Sequence, residues 1–492
     1  MAQQILLRRD TAANWTSANP VLAQGEMALE TDTRKYKIGD GMNAWNGLAY
    51  ASFPSDVYTK EEVDALVMND QWYGVEWDTS VSLSSMTRIG ESTLHQSLPI
   101  QSGMRRCLLS DAGVVNYYLH PNDSTLLDNS SPADLTGAAG QVMVEIPAHY
   151  EKFETEGTKR RCKLSQYALP GFYYIPKMYI SAYEAAVDRT VALTPKLSSV
   201  VNLTANFRGG NNTSAWDAET RTLLGRPVTS LSLTQFRTYA RNRGSVNWNC
   251  NVYIAHKVMT WLMRVEYSDF NCQLAYNAAL TAEGYRQGGL GAGVTDLDGT
   301  KWSTFNSSNP FIPCGHTNAL GNATGVVAYV MPAEYDSTPK TTYVPTYRGV
   351  ENPFGHVWKW IDGCKCNIQS VADGDKSLFY VCDNPANYQD TDYTNYILRG
   401  VLPRTNGFIK SLIVGEFGEV MPLTVGGDAL TYMCDNSYTS VPASGVLQLG
   451  VLFGGDAYTG ANAGVGCSRT SATAAHADAN VGSRLCYLPG VV

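Results

Sequence analysis

Apolar and polar positions change places in short runs along most of this chain. QVMVEIP at 141–147 and GFYYIP at 171–176 are apolar runs of strand length closed by proline. Near the start, residues 26–31 alternate, 32–34 turn and 35–38 return, which predicts a β-hairpin. Residues 5–9 predict a short strand. Asn14-Trp15 and Asn19-Pro20 predict turns, and Gly39-Asp40-Gly41 a tight turn before Trp45 and Leu48. Only two long stretches carry helical spacing. One is 232–243, stopped by Gly244. The other is 250–267, where positions 252, 255, 258, 259, 262 and 265 form one apolar stripe. His256 and Trp261 within it read as structural residues. Residues 400–402 and 447–453 predict late central strands. The pattern is that of a mainly β protein with an α+β C-terminal domain.

Between the first module and the rest, residues 59–67 (TKEEVDALV) put apolar side chains at 63, 66 and 67, with Thr59 and Glu62 spaced as a capping box. One or two turns are not stable alone, so this stripe is expected to associate with copies of itself. The expected organisation is a small β module at 1–50, a helical trimerisation connector at 51–70 and a large region at 71–492. That region divides into a β-rich part, 71–230, and a core, 231–492.

Composition narrows the function classes. The chain has 492 residues, 44% hydrophobic and 17% charged, with 44 Gly and 29 Tyr. Many glycines and tyrosines with few charges fit loop-rich β structure with a neutral, aromatic surface. A net charge of −8 with no basic block excludes a nucleic-acid partner from the expectations. No apolar run approaches about 20 residues, so no membrane insertion is expected, and residues 1–15 lack the apolar core of a secretory leader. The 11 cysteines are odd in number and scattered. They read as buried small hydrophobes, not as a disulfide framework. Cys364 and Cys366 form a lone CxC without a second pair, so neither a metal nor a cofactor is expected.

The last forty residues are the most informative. Gly454-Gly455 opens a frame that 481–485 (VGSRL) closes. Between them, the 25 residues 456–480 contain no Lys, Glu, Gln, Met or Trp. Codons ending in C or T cannot encode those five. An asparagine codon randomised at its first two bases yields Asp, Ala, Tyr, Thr, Ser, His, Arg, Cys and Gly among its descendants. The segment resembles the variable region of proteins diversified by a retroelement, and that resemblance implies a C-type-lectin-like fold displaying changeable side chains.

The other end agrees. The pattern LRRDTAANW…NPVLAQGEMALETDTRKYKIGDGMNAWNGLAY resembles the N-terminal domain of phage fibre proteins, the major tropism determinant type included. Residues 58–66 are similar to the YTKxEVDAL segments of tail fibres, where three copies associate. The stretch 351–363 (ENPFGHVWKWIDG) is similar to the Gly…Val-Trp-x-Trp-x-x-Gly segment of the formylglycine-generating-enzyme-like branch of the lectin fold, whose aromatics pack in the core.

These resemblances imply a phage tail-fibre receptor-binding protein. It would be a homotrimer, joined to other tail proteins through its N-terminus, assembled in the host cytoplasm and carried at the fibre tip of the virion. Its partner would be a bacterial surface receptor, protein or glycan. The expected ligand-binding residues are Asp456, Ala457, Tyr458, Thr459, Asn462, Ser468, Arg469, Thr470, Ser471, Thr473, His476 and Asp478, with Tyr458, Arg469 and His476 as anchors. The whole segment is expected to be exposed, and its frame, Leu485 included, to be core. No catalysis is expected. The reactive thiols of the enzymatic branch would fall near Thr459 and Gly464, and neither is Cys. The alternatives are a structural head or tail decoration fibre, or a surface-polysaccharide depolymerase using two opposed carboxylates.

Overall fold

The fold is that of a computed structural model, which describes residues 7–51 and 70–490. The connector expected at 51–70 falls, apart from its two end residues, outside the described residues. The chain forms two compact units, 1–68 and 69–492.

The first unit holds a three-stranded sheet. Met27–Glu30 lies in the middle, parallel to Arg8–Asp10 and antiparallel to Tyr36–Ile38. The hairpin turns at 32–34 as the alternation predicts, with Arg34 at φ +59°. Asn14 and Trp15, expected in a turn, lie instead in the helix Ala12–Ala18. The Thr11 hydroxyl caps that helix by accepting from the Asn14 amide, and Asp10 accepts from the Asn14 side chain. The helix delivers Trp15 to a stack on Trp45, with ring centroids 4.6 Å apart. Trp15, Leu22, Ala28 and Trp45 are the whole buried core of this unit among the described residues.

The second unit is mainly β. A five-stranded antiparallel sheet carries Lys159–Ser165 at its centre. A seven-stranded sheet runs from Trp248–Cys250 through Leu485–Tyr487 and Met178–Ser181 to Gln141–Ile146 and beyond. The last strand of the chain is thus inserted between strands from residues near 179 and near 249. The division expected at residue 230 is therefore not a boundary: one sheet crosses it. A third sheet of nine strands has Trp358–Gln369, Val446–Gly454, Gly464–Thr470 and Asn436–Thr439 as successive inner members.

The helix Tyr253–Tyr267 is wrapped on all sides, not only along its apolar stripe. Several of its buried polar residues find partners there. Lys257 donates to the Phe417 carbonyl at 2.6 Å, Trp261 to the Gly418 carbonyl at 2.7 Å, and Glu266 accepts from Tyr347 and Arg348. The helix expected at 232–243 spans Leu233–Arg241, and Ser232 and Gln235 form a reciprocal capping box. In the 351–363 stretch Phe354, Trp358 and Trp360 are buried, as the family-like pattern implies. Residues 400–402, expected in a central strand, fall at the end of Ile397–Val401, an edge strand with mostly exposed side chains, although Leu402 itself is buried. All 11 cysteines are buried and unpaired.

Candidate functional site

The 456–480 segment leaves the sheet at the end of Val446–Gly454. Gly454 and Gly455 have φ of +100° and +77°, a region that disfavours side chains. A Cβ on Gly455 would also lie 2.9 Å from that of Ala463. The chain then turns at Asp456. Its carboxylate accepts from the Thr459 hydroxyl at 2.6 Å, from the Tyr458 amide at 3.3 Å and from the Asn480 side chain at 2.7 Å. A short helical turn, Gly460–Asn462, leads into the strand Gly464–Thr470, flanked by Val446–Gly454 and by Asn436–Thr439.

The scaffold holds this segment by its main chain. Leu297 donates to the Ala457 carbonyl at 2.8 Å, and Gly460 donates to Thr295 at 2.7 Å. Farther on, Gly450 donates to Ala472 at 2.9 Å, Leu233 to Ala474 at 3.0 Å, Ser230 to Asp478 at 2.9 Å and Trp358 to Asn480 at 2.8 Å. Backbone groups are the same whatever side chain they carry. The suspension is therefore indifferent to most of the sequence it suspends.

The frame beyond the segment is the reverse, fixed by side chains. Arg484 is fully buried and donates to the carbonyls of Ser181 and Asn352, the Ser483 hydroxyl donates to Trp360, and Leu485 is core, as expected.

The expected site residues divide into two groups. Tyr458, Thr473 and Asp478 are exposed, and Thr459, Asn462, Arg469, Ser471 and His476 are partly so. Asp456, Ala457, Ser468 and Thr470 are buried, contrary to the expectation that the whole segment is surface. Each has a physical reason. Asp456 is consumed by its three hydrogen bonds. Ala457 packs into a satellite core with Val294, Leu297 and Trp302. Ser468 and Thr470 sit in a strand paired on both edges, where alternate side chains must face inward; Ser468 meets Ser437, and Thr470 donates to the Tyr438 carbonyl.

The partly exposed residues surround a cleft of about 400 Å³ with Tyr458, Thr459, Asn462, Arg469 and Ser471 on its walls. Four lining residues come from elsewhere in the chain: Trp358, Asn406, Tyr438 and Thr439. Sequence reasoning missed them as site residues. Trp358 reads as core from its motif and is mostly buried, with one edge on the cleft, and nothing local marks the other three. Tyr438 joins the cleft because Asn436–Thr439 runs parallel beside Gly464–Thr470. Its hydroxyl accepts from the Asn462 side chain at 3.1 Å. The Tyr458 ring rests over Gly299, where a Cβ would come within 3.3 Å of it, and lies 6.3 Å from the Trp302 ring. A larger cleft of about 650 Å³ lies along the helix Gly299–Asn306, but it contains no residue of 456–480 and its Arg221 and Lys301 are paired with Glu219 and Asp336.

Electrostatically the face is quiet. Burial raises the Asp456 carboxyl above its ordinary range, against the hydrogen bonds from Thr459 and Asn480 that lower it. Asp456 in turn raises Tyr458. Burial, helped by Arg469, lowers His476, which favours its neutral form. Under the segment, burial raises Asp435 to about 7, although Arg264 pulls the other way. Asp435 accepts from the Gly466 amide at 2.7 Å. The Cys467 thiol lies buried beneath the face, and burial pushes it well up, while Cys486 rises to about 12. A reactive thiolate needs the opposite environment.

Residues 5–43 match the family model of the major tropism determinant N-terminal domain, which bears out the fibre-type resemblance of the first module. No curated protein matches the chain. Among solved structures, a Major Tropism Determinant P3c Variant aligns over 98% of this chain and 99% of its own at 11% identity, with a TM-score of 0.21. An I1 Variant aligns over the same shares at 11% identity and a TM-score of 0.23. A full-length streptococcal bacteriophage hyaluronidase, solved with unsaturated hyaluronan octasaccharides, is 32% identical over 12% of this chain and 16% of its own length, with a TM-score of 0.10.

Proposed function

We propose that the chain is a phage tail-fibre receptor-binding protein whose 456–480 segment is a diversified binding surface on a C-type-lectin-like scaffold. The observation that carries this reading is the main-chain suspension of the segment, combined with its restricted residue set. A rigid scaffold that grips backbone and presents side chains is the arrangement of a paratope. The N-terminal match to a tropism-determinant domain supports placement on a virion. Catalysis is not part of the reading: a mechanism needs fixed groups in tight geometry, and this face is built from residues free to change.

The same reading makes the protein a trimer. The first unit has a core of only four described residues, far too few for independent stability, and the TKEEVDALV stripe that follows needs a partner. Three tips on one cell would turn weak sites into strong attachment. Sedimentation of the full chain should give a trimer, and a monomer would overturn that part.

The central test is exchange within 456–480 of the outward residues Tyr458, Thr459, Asn462, Arg469, Ser471, Thr473 and His476 for others of the same residue set, with Asp456, Gly464, Gly466 and the buried positions kept. Bacterial-cell binding should change its host range with the segment, while the receptor is recovered intact. Unchanged host range, or a receptor recovered in cleaved form, would refute the reading.

A further inference from the structure

We infer that the cleft beside Arg469 is a receptor subsite for a carboxylate, carried by an acidic side chain of a surface protein. The inference rests on the receptor-binding reading above and assigns the chemistry of that site.

It follows from an account of the polar groups that line the cleft. Arg469 spends its Nε on the Ser471 hydroxyl at 2.8 Å, which leaves both Nη groups without a hydrogen bond or ion pair among the described residues. Asn406 spends its amide oxygen on the Thr439 amide at 2.7 Å, which leaves its NH₂ group without a partner among the described residues. The Tyr438 oxygen receives the Asn462 side chain, so the Tyr438 hydrogen is available to a ligand. Ser471 likewise accepts from Arg469 and keeps its own hydrogen. The acceptors are spent differently. Both Asp456 oxygens are engaged inside the segment, and the Thr459 oxygen donates to Asp456 and accepts from its amide. Asn462 Oδ1 is the one carboxylate or amide side-chain oxygen in the cleft left unengaged among the described residues.

Donor-only groups, the Arg469 Nη pair and the Asn406 NH₂, therefore outnumber acceptor-only ones, and one of them is a guanidinium with its forked face open. That fits a group that only accepts, with a carboxylate as the planar match. A sugar ring brings hydroxyls that donate as well as accept; to receive them this cleft has Asn462 Oδ1 and hydroxyl oxygens such as those of Tyr458 and Thr439, none of which uses the open guanidinium. An acidic protein side chain brings the carboxylate without that ring.

The probe is a bacterial strain that the full chain binds. Its cells are treated in parallel with carbodiimide and methylamine, which amidate surface carboxylates, with protease, or with periodate. Amidation and protease should each abolish binding, and periodate should not. Arg469→Gln should weaken binding about tenfold or more, and its residual binding should no longer respond to amidation. Asn406→Ala, outside the variable segment, should weaken it in the same direction, and melting temperatures report that both variants fold. Binding that survives amidation, or that Arg469→Gln leaves unchanged, overturns the subsite. Loss to periodate with survival of protease moves the carboxylate to a glycan and overturns the protein assignment. If no strain is bound, or if segment exchange leaves host range unchanged, the receptor-binding reading itself fails and this inference falls with it.

Discussion

Asp456 Oδ2 accepts a hydrogen bond from Asn480 Nδ2 at 2.7 Å, so the first and last residues of the 456–480 segment hold each other. The segment is a closed loop pinned at its neck. Asp456 is only 1% exposed, which makes it a structural clasp and not a ligand contact.

Removing the clasp should cost stability without abolishing the scaffold. Asp456→Ala leaves the Thr459 hydroxyl and the Asn480 amide without their acceptor, and a hydrogen bond to a charged group contributes about 1.5–3 kcal/mol. Chemical denaturation should show a loss of that order for Asp456→Ala and a smaller one for Asn480→Ala. A double mutant whose losses simply add would show that the two residues are not coupled.

Two glycines of the segment should resist variation. A Cβ at Gly464 would lie 1.7 Å from an Asp435 carboxylate oxygen, and one at Gly466 would lie 2.7 Å from the other. Gly464→Ala and Gly466→Ala should each destabilise the protein by more than about 1 kcal/mol, with Gly464 the worse. A neutral Gly464→Ala by thermal denaturation would show that Asp435 does not pack as described.

The outward side chains should be dispensable for folding and the inward ones not. Tyr458→Ala, Thr473→Ala and His476→Ala should each stay within about ±0.5 kcal/mol. Thr470→Ala, which loses the bond to the Tyr438 carbonyl, should cost about 1 kcal/mol. Leu485→Ala, in the fully buried frame, should cost about 2–5 kcal/mol. Equal losses across the three classes would erase the distinction between display and frame.

Asp435 should imprint a pH dependence on stability. Its folded pKa is about 7 against an ordinary 3.8, so the native state holds a proton that the unfolded chain releases over that window. The unfolded state binds fewer protons there, so stability falls as pH rises from 3.8 to about 7. Asp435→Asn removes this slope. The stability of the parent minus that of the variant should decline across the window in urea titrations, and a difference that stays flat would sink the assignment.

Much was legible in the sequence because it depends on local pattern. The hairpin at 27–38, the helix after Ser232, the buried aromatics at 354–360 and the glycine frame at 454–455 follow from alternation, capping, burial preference and φ. Asn14 and Trp15 misread because a helix of seven residues is fixed by its Thr11 cap and by a Trp45 stack thirty residues away, not by its own spacing.

The sequence by itself marked out 456–480 through its missing amino acids and the first module through its motif. Only the tertiary structure decided which residues of the segment face outward. Residue identity cannot reveal that, because Ser468 and Ser471 are the same residue type, and strand pairing on both edges buries the one while the cleft bares the other. The tertiary structure also brought Asn406 and Tyr438 to the cleft through pairings between distant strands, which leave no periodic trace in the chain. The grip on the segment left none either, since backbone amides and carbonyls do that work and every sequence carries them.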